Sequence, residues 1–353
     1  MHMPRHTDQL ESLPTVTDEA SDALESAAGA DADTAVLHAL LLDGHGGARA
    51  LSPDDIPCGE LSGGVLWLHV DATHEDAPAL LTRVPGLDAR QAALLASEDT
   101  RPHAEVAGDA VRLVLRGVNL HPDANPEDMV SLRLWAAKGR VASARRRRLL
   151  SVEDVLEALA EGYGPRTAGE LLAALSGRLI SRLQDTADAL DERVQILEDT
   201  TADDALGPVR REVSDIRRIA IILRRYLAPQ RDALAHLCNA RLSWLGEEER
   251  TDLRDSLDVL TRHVENLDAL RERASVVREE LAGQLAELTN RRMFLLSLLS
   301  AIFLPLSFLT GLLGTNVGGI PGAQSANGFA VASAVLAAIG LLIVLVFRFG
   351  RWL

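Results

Sequence analysis

MFLLSLLSAIFLPLSFLTGLL, residues 293–313, decides the architecture of this chain. Crossing the hydrocarbon core of a bilayer takes about 20 apolar residues at about 1.5 Å rise each, and this run meets that length without a charge. A second run, FAVASAVLAAIGLLIVLVF at 329–347, does the same, and between them lies GTNVGGIPGAQSANG, 314–328. The two runs therefore read as a transmembrane hairpin. Arg291 and Arg292 precede the first span, Arg348 and Arg351 follow the second, and the connecting loop has neither Lys nor Arg. Positive charge stays on the cytoplasmic side, so both termini are expected inside and the loop in the periplasm.

The first span carries a polar stripe. At about 100° per residue, Asn290, Met293, Ser297, Ser300, Leu304, Ser307, Gly311 and Gly314 fall on one side. In lipid, small and hydroxylated residues face protein or water rather than acyl chains. The plain reading is a helix-packing face. The sharper reading is a pore lining, which two spans cannot enclose alone and which therefore requires an oligomer. Pro305 is compatible with a helix here, because neighbouring groups in a membrane satisfy the freed carbonyl.

Gly314-Thr315-Asn316, followed by Val317-Gly318-Gly319-Ile320-Pro321-Gly322, resembles the Gly-x-Asn signature of the CorA superfamily of divalent-cation transporters. The preceding Phe303–Gly311 is similar to the span that leads into that signature. The loop is closer to the ZntB branch than to the magnesium branch, in which an acidic residue follows shortly after the Asn. DTRPHAE (99–105), and DMVSLRLW (128–135) with Arg145–Arg148, resemble cytoplasmic segments of the same branch.

The resemblance implies an α+β cytoplasmic domain, long stalk helices and a two-helix hairpin, assembled as a funnel-shaped homopentamer in the bacterial inner membrane. It implies Asn316 as the selectivity element, touching the metal through its hydration shell, with Gly314 and Thr315 completing the filter. The cargo implied is Zn²⁺, with Co²⁺, Ni²⁺ and Cd²⁺ as further ions and Mg²⁺ as the main rival. Some members of the branch are thought to couple zinc uptake to protons. No cofactor is expected, and the partners are other copies of the chain and lipid.

The rest of the chain fits this plan. The net charge of −15 argues against nucleic acid and suits either solubility or cation collection. Cys58 and Cys238 form no CxxC pair. Residues 1–33 read as a disordered acidic tail. An α/β unit is expected over 34–165, with strands at 35–42, 65–70, 110–117, 130–137 and 140–144, and helical stretches at 77–95 and 152–161. Asp43-Gly44-His45-Gly46-Gly47 reads as a hairpin turn. A helical hairpin should fill 166–246, with segments at 167–201 and 208–240. A stalk helix is expected over 247–292, running unbroken into the first span. Residues 348–353 form a basic cytoplasmic end.

Asp252, Asp255 and Asp258 at helical spacing, and Glu279 and Glu280, are candidate regulatory ligands, although acids on a helix face are usually only solvated. His236 and His263 are weaker candidates for zinc. No phosphate loop, paired metal-ligand motif or nucleophile elbow is present, so enzymatic activity is not expected. A membrane-anchored sensor is the remaining alternative, though an anchor alone needs neither the serine seam nor the Gly-Thr-Asn loop.

Overall fold

The computed structural model describes residues 35–52, 56, 63–98, 101–119, 125, 127–198, 206–315 and 325–349. The tail at 1–33, Cys58, Asp99 and Thr100, and Asn316 with most of its loop lie outside these residues. The described chain forms two compact units, up to Val277 and from Arg278 onward.

The first unit is built on a seven-stranded sheet: β1 (Val36–Leu42), β2 (Ala48–Ala50), β3 (Val65–Asp71), β4 (His103–Ala107), β5 (Ala110–Gly117), β6 (Val130–Ala137) and β7 (Arg140–Arg145). The spatial order is β2-β1-β3-β7-β6-β5-β4. Every pairing is antiparallel except β3 with β7, where Leu66 to Asp71 match Arg140 to Arg145. The strands at 110–117 and 130–137 coincide with their expected ranges.

Both faces of the sheet are covered, so its central strands bury side chains in both directions. On one face Leu66, Leu68, Val70, Trp135 and Ala142 pack under two short helices, α1 (Ala77–Leu81) and α2 (Ala89–Ala96). The sequence suggested a single helical stretch here. Pro85-Gly86 divides it, with Gly86 at φ +87°, and the Asp88 carboxylate restarts the helix by accepting from the Gln91 N–H at 2.7 Å. On the other face Trp67, Leu113, Leu115, Leu132 and Leu134 meet α3 (Leu150–Ala160) and α4 (Ala168–Ser181). Thr167 caps α4 by accepting from the Glu170 N–H at 3.0 Å.

The expected segment 167–201 is also two helices. After α4, Arg182 and Leu183 leave the helix and α5 (Gln184–Glu198) begins. Then come α6 (Leu206–Cys238) and α7 (Glu247–Leu313). Arg273 of α7 binds Glu198 of α5 at 2.7 Å and also pairs with Asp191, while Arg224 of α6 pairs with Asp268 of α7. The β1–β2 turn is tight because the Asp43 carboxylate accepts from the His45 and Gly47 N–H groups at 2.7 and 3.0 Å. Gly46 is required there: a Cβ would sit 2.4 Å from the Gly162 carbonyl oxygen.

Two polar groups in this core stand out. His69 is fully buried, and its Nδ1 lies 2.7 Å from the Ser143 hydroxyl, which also accepts from the Trp67 indole N–H at 2.8 Å. Arg133 is 0% exposed, and among the described residues its guanidinium nitrogens have no hydrogen-bond partner. Burial, with Arg146 and Arg116 nearby, lowers its pKa to about 10. The Arg145–Arg148 run is partly engaged. Burial lowers the pKa of Arg145, Arg146 donates to the Ala72 carbonyl at 3.3 Å, and Arg148 binds Glu153 at 2.8 Å.

Candidate functional site

The second unit holds the end of α7 and α8 (Gly328–Phe349). Both helices are long and apolar enough to cross a membrane. At about 1.5 Å per residue, α7 extends on the order of 100 Å, far more than a bilayer needs. A helix of that length is stabilised by packing rather than by propensity. Over its first part, α7 contributes Leu253, Leu260, Val264, Leu267 and Leu270 to the core. Beyond Leu281 no residue of α7 is buried.

The half-buried positions of the span reveal its contact with α8. Leu298, Ala301, Ile302, Pro305, Leu306 and Leu309 are partly covered. From α8, Gly328, Ala332, Leu336, Ile339, Gly340 and Ile343 are covered in turn. A Cβ built on Gly340 would sit 3.7 Å from Leu306 Cδ1, ordinary van der Waals contact. Toward the loop end a cavity of about 280 Å³ opens between Leu309, Leu313, Val331 and Val335.

Asn290, Met293, Ser297, Ser300, Leu304, Ser307 and Gly311 are all exposed, Leu304 at 75%. At about 100° per residue they occupy the half of the helix opposite the α8 contact. Among the described residues, this polar seam has no intramolecular partner. The serine hydroxyls present dipoles and no net charge, which suits contact with an ion's bound water.

At its far end the helix terminates tightly. The Gly314 N–H donates to the Thr310 carbonyl at 2.9 Å, and the Thr315 hydroxyl donates to the Leu312 carbonyl at 2.8 Å. These bonds satisfy carbonyls that a helix C-terminus leaves free. A Cβ on Gly314 would lie 3.1 Å from the Thr310 oxygen, tighter than most side chains tolerate. Gly314 and Thr315 are thus placed by the helix end. Asn316 lies outside the described residues.

Acids of α7 also fall at seven-residue steps in sequence before the seam, and two of them, Glu265 and Glu272, were not singled out from the sequence. Stepping back from Ser307 by sevens gives Ser300, Met293 and Ala286, then Glu279, Glu272, Glu265 and Asp258. All four acids are exposed, and none forms an ion pair among the described residues. The strict seven-residue spacing was the available signal. Asp252, Asp255 and Glu280 are likewise exposed. Among the described residues, no group of three or more His, Cys, Asp or Glu side chains is arranged to hold a metal. His236 is exposed, and His263 is buried with no hydrogen-bond partner among the described residues.

Comparison with known proteins now places the chain. It is 40% identical over 327 residues to the divalent cation transporter CmaX of Pseudomonas aeruginosa, covering 90% of this chain and 97% of that protein. It is 34% identical over 317 residues to the zinc transport protein ZntB of Yersinia enterocolitica, covering 90% and 96%. The solved structure of full-length CmaX superposes with a TM-score of 0.77 at 37% identity, covering 92% of this chain and 100% of that one. The family model for CorA-like Mg²⁺ transporter proteins matches residues 62–351, and the chain belongs to that family.

Proposed function

We propose that this protein moves a divalent metal cation, Zn²⁺ in the first instance, across the bacterial inner membrane through a homopentameric pore lined by the α7 seam. Both termini lie in the cytoplasm. The observation that carries this reading is the seam itself: uncharged, hydroxyl-bearing, exposed, and turned away from α8. Around a symmetry axis, Ser297, Ser300 and Ser307 form hydroxyl rings. Leu304 and Met293 form apolar constrictions that gate by dewetting. Asn290 and Gly311 mark the two ends of this stretch. A ring of Asn316 amides at the periplasmic mouth, set by Gly314 and Thr315, binds the ion through its first-shell water. Asp258, Glu265, Glu272 and Glu279, in the same heptad register, raise the local cation concentration on the cytoplasmic side.

Zinc is favoured by the likeness to the zinc transport protein and by a loop without the acid of the magnesium branch. A Mg²⁺ or Co²⁺ channel is the second reading. It is favoured by the family model's own description and by the chemistry of the spans. Residues 293–347 contain no Cys, His or carboxylate, so the path offers no ligand that grips bare zinc and instead suits a hydrated ion. Purified protein in vesicles separates the two, with Zn²⁺, Co²⁺, Ni²⁺, Cd²⁺ and Mg²⁺ flux measured with and without a pH gradient. Zinc flux exceeding magnesium flux supports the first reading, and the reverse order supports the second. Acidification that accompanies zinc entry adds proton coupling, and its absence removes it. Loss of flux in Asn316→Ala supports the proposed mouth, whereas unchanged flux and selectivity would reduce the hairpin to an anchor.

A further inference from the structure

His263 sits on α7 where that helix packs against α5 and α6. Leu260, Val264 and Leu267 of α7 share a core there with Leu190 and Val194 of α5 and Leu223 and Leu227 of α6. The imidazole is 2% exposed, and among the described residues neither ring nitrogen has a hydrogen-bond partner. A neutral ring leaves one donor and one acceptor unmet in this position. A protonated ring would bury a full charge with two unmet donors.

The charged groups around it offer little relief. Asp188 of α5 favours the charged form, but its side chain belongs to an exposed residue and already accepts from Gln184 at 2.8 Å. Arg262, the adjacent residue, opposes the charged form. Further along the contact, Arg224 of α6 is taken by Asp268, and Arg273 by Asp191 and Glu198 of α5. Burial is the largest influence on the ring and lowers its pKa.

We infer that His263 is a proton-operated latch: the neutral ring lets α5 seat against α7, and an acidified cytosol releases α5 by charging it. The sign follows from linkage. With its folded-state pKa below the ordinary value of about 6.5, the closed contact is fully stable above that pH and loses stability as pH falls through it. The inference rests on the helix contact alone and holds whichever ion is carried.

Hydrogen exchange on the full-length protein in detergent tests it, at pH 7.5 and 5.5 with intrinsic rates corrected. Local opening of residues 184–198 should rise by up to about tenfold at the lower pH, the most a ring with an open-state pKa of about 6.5 can supply. His263→Leu should abolish that rise while keeping the contact closed. If His263→Leu does not fold, His263→Gln gives a side chain that does not titrate, and the same loss of pH response is expected. Equal protection at both pH values in the wild-type protein, or an undiminished rise in a folded variant, would overturn the latch.

Discussion

The two units bury apolar surface in opposite ways. The sheet unit closes its core within one chain: Leu132, Leu134, Trp67 and Trp135 are at most 2% exposed. The hairpin unit closes nothing. No residue of α8 is buried, and Phe329 is 88% exposed. Exposed apolar surface on this scale signals an environment that the chain does not itself provide. For most of the hairpin that environment is lipid. For the seam the proposed environment is water and other copies of the chain, because hydroxyls facing hydrocarbon cost free energy unless they are paired. The contrast therefore separates a unit that buries its own core from one whose apolar surface is left for a bilayer and, in the proposed pore, for other copies of the chain.

Truncating one leucine in each unit sharpens that contrast most. Leu132→Ala leaves a void between the sheet and its helices and should cost about 2–5 kcal/mol in urea unfolding of the sheet unit. Leu342→Ala, at a 61% exposed position of α8, should leave that transition unchanged. Equal effects would break the division into two kinds of burial. Next in size is Arg133→Met. Replacing an unpartnered buried cation with an apolar chain of similar length should raise stability by about 1–3 kcal/mol in the same melt. Destabilisation would mean that Arg133 is paired in solution.

Ser300→Leu tests the open unit. In the proposed pore, an apolar side chain at the centre of the seam should lower metal flux at least about tenfold, roughly 1.4 kcal/mol of barrier, without moving the melt of the sheet unit. Flux at the wild-type level would place that serine against lipid or a packing partner. The smallest effect is expected from Arg273→Ala. Its pairs with Asp191 and Glu198 are partly exposed, so the loss should be about 1 kcal/mol or less and should shrink further in high salt.

Much of this architecture was legible because the deciding patterns are long. Residues 110–117 and 130–137 are flanked by turn residues, and the two apolar runs have the length of a span. The long helix was legible because nothing between Glu247 and Leu313 other than Pro305 breaks it. Short elements were not legible. β2 has three residues, and β4 reads HAEVA, a polar edge strand whose formation depends on pairing with β5. The divisions at Pro85-Gly86 and Arg182-Leu183 are local, and the helical pattern continues across both. The burial of Arg133 was hidden because only the packing of α1 and α2 makes its face internal. The phase of the seam followed from the sequence. That its face is left uncovered by α8 required the structure, since a helical pattern does not say which side the second span takes.

The central claim is that the serine seam of α7 lines a water-filled path. Its most direct test is thiol accessibility during transport, in a background with Cys58 and Cys238 replaced. Ser300→Cys and Ser307→Cys should react with a membrane-impermeant thiol reagent and lose metal flux on modification, while Leu342→Cys should neither react nor lose flux. Reaction at Leu342→Cys with both serine positions silent would contradict the account.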